Sequence, residues 1–178
     1  SVHNKLSDEV SFYFGQPGIS DCRAYVQRSL NIKDNCLIGL GVDRLDYTKG
    51  ILERLRAVEY LLESHPDMIG RFCFIQIAAP SRSVLEEYQT FDARVRALAS
   101  QINLRFSSEG YLPVHLKIEH HEPQDVNRYY RAADVCAVTS LHDGMNLVAK
   151  EYVAARDDEE GRAGLAKLDR CISEEDAL

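Results

Sequence analysis

The stretch Cys36-Leu-Ile-Gly-Leu-Gly-Val42 is short, apolar and nearly continuous. A run of this kind is typical of a strand that is buried on both faces of a sheet. Residues 51–64 follow with apolar side chains at helical spacing, and Pro66 stands just past their end. Between strand and helix lies the polar loop Asp43-Arg-Leu-Asp-Tyr-Thr-Lys-Gly50. Strand, loop and helix together predict the first unit of a parallel sheet.

The same unit recurs along the chain. Further strands are predicted at 72–78, 114–118 and 135–139, and further helices at 21–30, 84–102, 123–133 and 145–156. Strands that alternate with helices indicate an α/β fold, a Rossmann-like doubly wound parallel sheet. We expect an N-terminal lead-in or interdomain segment over 1–35, a Rossmann-like domain over 36–156, and an acidic divergent tail over 157–178.

Composition excludes several partners. The formal net charge is −7, which argues against binding to a nucleic-acid backbone. No run reaches the roughly 18 apolar residues that span a bilayer, so we expect no membrane partner. The five cysteines form no C-x-x-C pair, which favours reduced, buried thiols in a cytoplasmic protein.

Ligands of an open parallel sheet bind beyond the carboxyl ends of its strands. The first loop there carries Arg44 and Lys49 just before a helix. Two cations beside a helix N-terminus favour a diphosphate site and would stabilise a departing nucleoside diphosphate. The alternative is a surface cluster in which these cations pair with Asp43 and Asp46.

The second such loop is Ala79-Pro-Ser-Arg-Ser83. Arg82 follows the second strand directly and could reach a phosphate group. The alternative is an exposed arginine beside a serine that caps the next helix.

The third loop leads through Asp143-Gly144 into a helix that carries Glu151 about two turns later. Free backbone N–H groups at such a helix start bind diphosphate or sugar oxygens, and Gly144 permits close approach of a ligand. The carboxylate of Glu151 suits paired ribose hydroxyls. The alternative is a simple turn with Lys150 and Glu151 in solvent.

A metal site at His120-His121 is not expected, because the side chains of adjacent residues diverge at a strand end. No cysteine or carboxylate stands at metal-ligand spacing around them. The sequence also contains neither a Walker loop nor a nucleophile elbow.

Four motifs resemble trehalose-6-phosphate synthases and occur in that family's order. They are Gly41-Val-Asp-Arg-Leu-Asp-Tyr-Thr-Lys-Gly50, Gln76-Ile-Ala-Ala-Pro-Ser-Arg82, Tyr130-Arg-Ala-Ala-Asp-Val135 and Asp143-Gly-Met-Asn-Leu-Val-Ala-Lys-Glu-Tyr-Val-Ala154. The resemblance spans residues 37–155. It implies a retaining glycosyltransferase of GT-B fold, of which this chain is the C-terminal half with its last strand missing.

The resemblance also implies the activity: transfer of glucose from UDP-glucose to glucose-6-phosphate, giving trehalose-6-phosphate and UDP in trehalose biosynthesis. It implies a front-face route with no metal, no other cofactor and no enzyme nucleophile. The site residues that it implies are Arg44 and Lys49 as catalytic groups on the diphosphate, Arg82 toward the acceptor phosphate, Asp143, Gly144, Met145 and Asn146 at the donor glucose, Leu147 and Val148 along the diphosphate, and Glu151 at the ribose.

The sequence departs from the family after residue 155 and lacks its N-terminal domain. We therefore expect an incomplete part of the enzyme that is inactive without that domain, and the resemblance leaves room for a homo-oligomer in the full-length protein. The unusual Ile118-Glu-His-His121 leaves the donor nucleobase open. Two alternatives remain: a related glucosylglycerol-phosphate synthase, or a non-catalytic sugar-nucleotide-binding or regulatory remnant, which the altered tail motivates.

Overall fold

The computed structural model describes residues 17–80, 86–140 and 147–156. Four strands and five helices alternate through these residues. In chain order they are α1 (Ile19–Leu30), β1 (Leu37–Arg44), α2 (Ile51–Ser64), β2 (Phe72–Ala79), α3 (Glu86–Phe106), β3 (Val114–Ile118), α4 (Pro123–Ala132), β4 (Val135–Cys136) and α5 (Leu147–Ala155). Short 3₁₀ turns at Tyr47–Lys49 and Pro66–Met68 precede and follow α2.

The strands form one parallel sheet in the order β3-β2-β1-β4. The chain moves outward from β1 through β2 to β3, and then returns to the other side of β1 as β4. The order of strands therefore reverses between β1 and β4. In doubly wound sheets, the carboxyl end of such a switch point is where ligands bind. The expected Rossmann-like parallel sheet is confirmed.

The sheet lies between two cores, and β2 contributes side chains to both because successive residues of a strand point to opposite faces. On one face Ile38, Leu40 and Ile75 pack with α1, α4 and α5. On the other face Phe74 and Ala78 pack with α2 and α3. Burial on both faces explains why the strands are recognisable as continuous apolar runs.

Helix α1 is attached to the start of the sheet by Arg23. Its guanidinium lies 3.0 Å from the carboxylate of Asp134 and also donates to the carbonyl of Cys36. The same carboxylate accepts the backbone N–H of Ile38 at 2.7 Å. One carboxylate thus joins α1, β1 and the beginning of β4. The proposed division of the chain at residues 35 and 156 stays a prediction.

Several predicted boundaries were wrong. Strand β1 extends through Arg44, because Asp43 and Arg44 pair with the last two residues of β2. Strand β4 forms ladder pairs only at Val135–Cys136, which is shorter than the predicted 135–139. Helix α3 continues to Phe106, and α4 and α5 each end one residue early, at Ala132 and Ala155.

Candidate functional site

The loop after β1 is shaped by Asp46. Its carboxylate accepts the backbone N–H and the hydroxyl of Thr48, each at 2.9 Å, and so caps the 3₁₀ turn Tyr47–Lys49. Arg44 stands at the end of β1 with its side chain 74% exposed, 4.0 Å from Asp46. The predicted alternative of a surface cluster is correct for this pair. An exposed pair at this distance is weak, so Arg44 keeps its capacity to bind an anion.

The pKa of the Asp46 carboxyl is changed by the groups around it. Burial by itself raises the pKa of this carboxyl, but the two hydrogen bonds from Thr48 and the positive charges of Arg44 and Lys49 outweigh it. The net pKa lies below its ordinary value. Arg44 and Lys49 therefore both favour the charged form of this one carboxylate.

For Asp43, the alternative of a pair with the loop cations is wrong, because its carboxylate pairs with Arg54 instead. Its carboxylate lies 2.8 Å from Nη1 of Arg54, with side-chain exposures of 6% for Asp43 and 2% for Arg54. Sequence reasoning missed Arg54, a charged group in the first turn of α2. A signal was present: Arg54 stands at helical spacing from Ile51, Leu55 and Val58, so it lies on the buried face of the helix.

The guanidinium of Arg54 is buried near the carboxyl ends of β1 and β2 and of the segment that follows β4. Nη1 also donates to Oε1 of Gln76 at 2.8 Å, and Nε and Nη2 donate to the hydroxyl of Thr139 at 3.2 and 3.0 Å. Gly41 makes room for it, because a Cβ there would lie within 3.0 Å of both Arg54 and Gln76. A side chain at that point of β1 would displace the guanidinium.

Gly50 brings the first loop against the end of β4. It has φ of +64°, and a Cβ there would lie within 3.0 Å of the carbonyl oxygen of Thr139. The hydroxyl of Thr139 donates to the carbonyl of Gly50 at 3.2 Å. Lys49, which is partly buried, is therefore close in sequence to a contact with Thr139, which lies just past the end of β4. This is the switch point of the sheet.

Helix α5 carries the predicted ribose-binding carboxylate. Glu151 is exposed, and its Oε2 accepts the hydroxyl of Tyr130 at 3.0 Å. Burial raises the pKa of Tyr130, and the negative charges of Glu151 and Asp43 raise it further. The phenol therefore remains protonated and donates. In the first turn of α5, Leu147 is exposed and Val148 packs against the core.

The remaining predicted site residues lie outside the described residues. These are Arg82, which follows β2 in sequence, and Asp143, Gly144, Met145 and Asn146, which precede α5 in sequence. Among the predicted residues that the structure does describe, Arg44 and Lys49 share one loop, and Glu151 lies on the helix that follows the switch point.

The surface at the amino-terminal ends of the strands differs from that at the carboxyl ends in the residues that line it. A shallow hollow there is lined by Cys36, Cys73, Tyr111 and His115, among others, and by none of the predicted site residues. Within residues 17–80, 86–140 and 147–156, no group of three or more His, Cys, Asp or Glu is arranged to hold a metal ion. The same residues contain no helix with the length and hydropathy that crossing a bilayer requires.

A parallel sheet with a switch point and helices on both faces defines a Rossmann-like α/β domain. Comparison with known proteins identifies the family within this class to which the chain belongs. The model of glycosyltransferase family 20 matches residues 16–169. The chain belongs to this family.

Similar proteins support the assignment. An alpha,alpha-trehalose-phosphate synthase (UDP-forming) of Pichia angusta is 44% identical over 134 residues, which are 75% of this chain and 28% of the relative. The 56 kDa subunit of the Saccharomyces cerevisiae enzyme is 40% identical over 75% of this chain and 27% of its own length. The chain thus spans less than a third of these relatives.

Solved structures agree in fold. A trehalose-6-phosphate synthase from E. coli, bound with UDP-2-fluoro glucose, aligns with a TM-score of 0.73 at 36% identity over 84% of this chain and 32% of that one. A Burkholderia xenovorans synthase in complex with glucose-6-phosphate aligns with a TM-score of 0.69 at 35% identity over 78% and 32%. The expected relation to one part of a GT-B enzyme is therefore confirmed.

Proposed function

We propose that this chain is the donor-binding domain of a retaining glycosyltransferase that moves glucose from UDP-glucose to glucose-6-phosphate. The products are trehalose-6-phosphate and UDP. The observation that carries the proposal is the contact of Gly50 with Thr139. It brings the loop with Arg44 and Lys49 to the switch point, beside Thr139, which precedes residues 141–146 in sequence.

In the proposed reaction, the bond between glucose C1 and the β-phosphate oxygen breaks, and a bond from C1 to the acceptor hydroxyl oxygen forms on the same face. The departing phosphate oxygen takes the proton of that hydroxyl. Arg44 and Lys49 stabilise the negative charge that develops on UDP. These two cations perform the charge neutralisation, so the proposal includes no metal ion and no cofactor.

Glu151 is proposed to accept hydrogen bonds from the ribose hydroxyls, with Tyr130 holding its carboxylate. Arg82 would reach the acceptor phosphate, and residues 143–146 would contact the donor glucose. The four described cysteines are buried free thiols, which supports a reducing, cytoplasmic location. Catalysis is proposed to require the family's N-terminal domain in addition to this chain.

Titration calorimetry with UDP and UDP-glucose tests the proposal. We expect the wild-type chain to bind both ligands, and Arg44→Ala to bind UDP at least about tenfold more weakly, because a charge-assisted hydrogen bond to phosphate is lost. Arg56→Ala, at an exposed position of α2, is the matched control and should bind UDP as the wild type does.

Three outcomes would contradict parts of the proposal. Absence of heat with millimolar UDP would exclude a donor-binding domain. Equal UDP affinity of the wild type and Arg44→Ala would remove Arg44 from the site. Turnover of UDP-glucose and glucose-6-phosphate by this chain alone would show that no further domain is needed.

A further inference from the structure

Two buried thiols lie side by side at the amino-terminal ends of β1 and β2. Cys36 directly precedes β1 and Cys73 is the second residue of β2, and they are 2% and 1% exposed. Ile38 is paired with Cys73 in the sheet. Because side chains alternate along a strand, Cys36 points to the same face as Ile38, and all three residues belong to one core cluster. The two thiols therefore share one face of neighbouring strands.

Both thiols also line the hollow at this end of the sheet, together with Lys33, Tyr111 and His115. The hollow admits about one water-sized molecule. Hydrogen peroxide is only slightly larger than water, whereas glutathione disulfide contains two tripeptides. The hollow therefore gives a small oxidant a path to the thiols and excludes a bulky one.

The two thiols differ in acidity. Their mutual hydrogen bond lowers the pKa of Cys36, and the positive charges of Arg23 and Lys33 lower it further, against the opposing effects of burial and of Asp134. The same hydrogen bond, together with burial, raises the pKa of Cys73. Because the thiolate is the nucleophilic form of cysteine, Cys36 is suited to attack an oxidant first and Cys73 to react second.

The backbone at Cys36 is the part of the pair that can adjust. A disulfide requires Cβ atoms about 3.5–4.5 Å apart. Cys36 precedes the first ladder pair of β1, which joins Leu37 to Phe72, and its N–H donates to the carbonyl of Lys33 in the preceding turn. We expect this turn to move toward β2 more easily than a residue inside the ladder, which has strand partners to keep.

We propose that Cys36 and Cys73 are an oxidation site for hydrogen peroxide, at which a disulfide forms between the start of β1 and β2. The thiolate of Cys36 attacks one peroxide oxygen, the O–O bond breaks, and the released hydroxide takes up a proton as water. The sulfur of Cys73 then attacks the sulfenic acid of Cys36, the S–O bond breaks, and hydroxide leaves with the proton of Cys73 as a second water. The two sulfurs lose the two electrons that the peroxide gains.

The oxidation site is separate from the proposed donor site. It lies at the amino-terminal ends of the strands, whereas Arg44 and Lys49 follow the carboxyl end of β1. Disulfides in reducing compartments are usually transient and redox-sensing, so a reversible bridge is compatible with a cytoplasmic protein.

The test treats the full chain with hydrogen peroxide, blocks the remaining thiols in denaturant, and digests the chain with trypsin without reduction. Cleavage after Lys and Arg places Cys36 in residues 34–44, Cys73 in residues 72–82, and each of the other cysteines in a peptide of its own. We expect mass spectrometry to find these two peptides joined, with a mass lower by two hydrogen atoms than their sum. Dithiothreitol should separate them, and glutathione disulfide at the same concentration should not join them.

Three variants test the order of the two steps. Cys73→Ser removes the second thiol, so peroxide should leave Cys36 as a sulfenic acid that dimedone labels. Cys36→Ser should leave Cys73 unmodified at the same peroxide dose, because the first nucleophile is gone. Cys22→Ser, which replaces another buried thiol, is the matched control and should form the joined peptides as the wild type does.

The wild type alone can overturn the proposal, so the test does not depend on the folding of a variant. Joined peptides that are absent from the folded chain, or that form only after unfolding in urea, would show that the two thiols do not react in the native structure. Cysteines joined without preference would show unselective oxidation. Equal joining by glutathione disulfide would contradict entry of the oxidant through the hollow.

Discussion

The hydroxyl of Tyr130 donates a hydrogen bond to Oε2 of Glu151 across 3.0 Å and so joins α4 to α5. Tyr130 is 3% exposed, and its ring packs edge-on against Tyr152 with centroids 6.2 Å apart. A rigid, buried donor therefore orients a carboxylate that is otherwise free to rotate in solvent. If Glu151 holds the ribose, this bond contributes to recognition of the ribose hydroxyls.

The first prediction concerns Tyr130→Phe, which removes the donor and keeps the ring. We expect UDP to bind about three- to tenfold more weakly, because Glu151 loses its fixed orientation. The affinity for 2′,3′-dideoxy-UDP, which lacks both hydroxyls, should not change. Calorimetry with both ligands measures the difference, and Tyr60→Phe, at a 65% exposed position, is the control. Equal losses for both ligands would argue for a purely structural tyrosine.

The second prediction compares two glycines with positive φ. Gly50 has φ of +64° and lies against Thr139, whereas Gly70 has φ of +82° and nothing within 4 Å of a built Cβ. Gly70→Ala should cost about 1–2 kcal/mol of unfolding free energy from backbone strain alone. Gly50→Ala should cost about 1–3 kcal/mol more, because the carbonyl of Thr139 must move, and should weaken UDP binding.

Urea denaturation measures the two costs, and calorimetry measures the binding. If both alanine variants lose the same stability and both bind UDP normally, the close approach of Gly50 to Thr139 contributes neither to the free energy of unfolding nor to UDP binding.

The third prediction concerns pH and His115. Burial lowers the pKa of His115 to about 4, with a smaller contribution from the charge of Lys117. Between that value and the unfolded pKa of about 6.5, the unfolded chain binds a proton that the folded chain does not. The stabilisation is therefore complete above pH 6.5 and is lost as the pH falls toward 4, by about 3 kcal/mol in total.

His115→Gln should flatten this slope, as measured by urea denaturation at several pH values. His121, whose pKa burial also lowers, adds to the slope in both proteins, so the difference between them isolates His115. The exposed His65 supplies the control variant, His65→Gln. A His115→Gln protein with an undiminished slope would show that folding does not lower the pKa of this imidazole.

The fourth prediction separates stability from binding. Asp134→Asn weakens the contacts of one carboxylate with Arg23 and with the N–H of Ile38, and we expect a loss of about 1–3 kcal/mol. Asp92→Asn, which removes an i,i+4 pair with the 55% exposed Arg96, should cost about 0.5 kcal/mol or less. Asp134 stands before β4, at the edge opposite the site, so UDP affinity should be unchanged. A selective loss of UDP binding in Asp134→Asn would contradict this separation.

The fold was predictable because its strands are apolar runs buried on both faces and its helices carry clear stripes. The ends of the strands were not predictable. Asp43 and Arg44 are polar, and only the presence of Ala78 and Ala79 on the neighbouring strand places them in β1. The extent of a strand depends on its partner, which local sequence does not contain.

The site was predictable in part for a similar reason. Arg44 and Lys49 stand within one loop, so their charges and the following helix are visible together. Arg54 was missed because its partners Gln76 and Thr139 are 22 and 85 residues away. An arginine among the apolar positions of a helix is the local indication of a buried charged side chain. The role of that side chain depends on contacts that form only in the folded chain.

The position of Thr139 also bears on the order of folding. Arg54 meets Asp43 and Gln76 across 11 and 22 residues, but it meets Thr139 across 85. Contacts between distant residues form late, because closing the longer chain segment costs more entropy. We therefore expect a refolding chain to assemble β1, α2 and β2 first and to acquire affinity for the nucleotide only in its final step, when β4 docks.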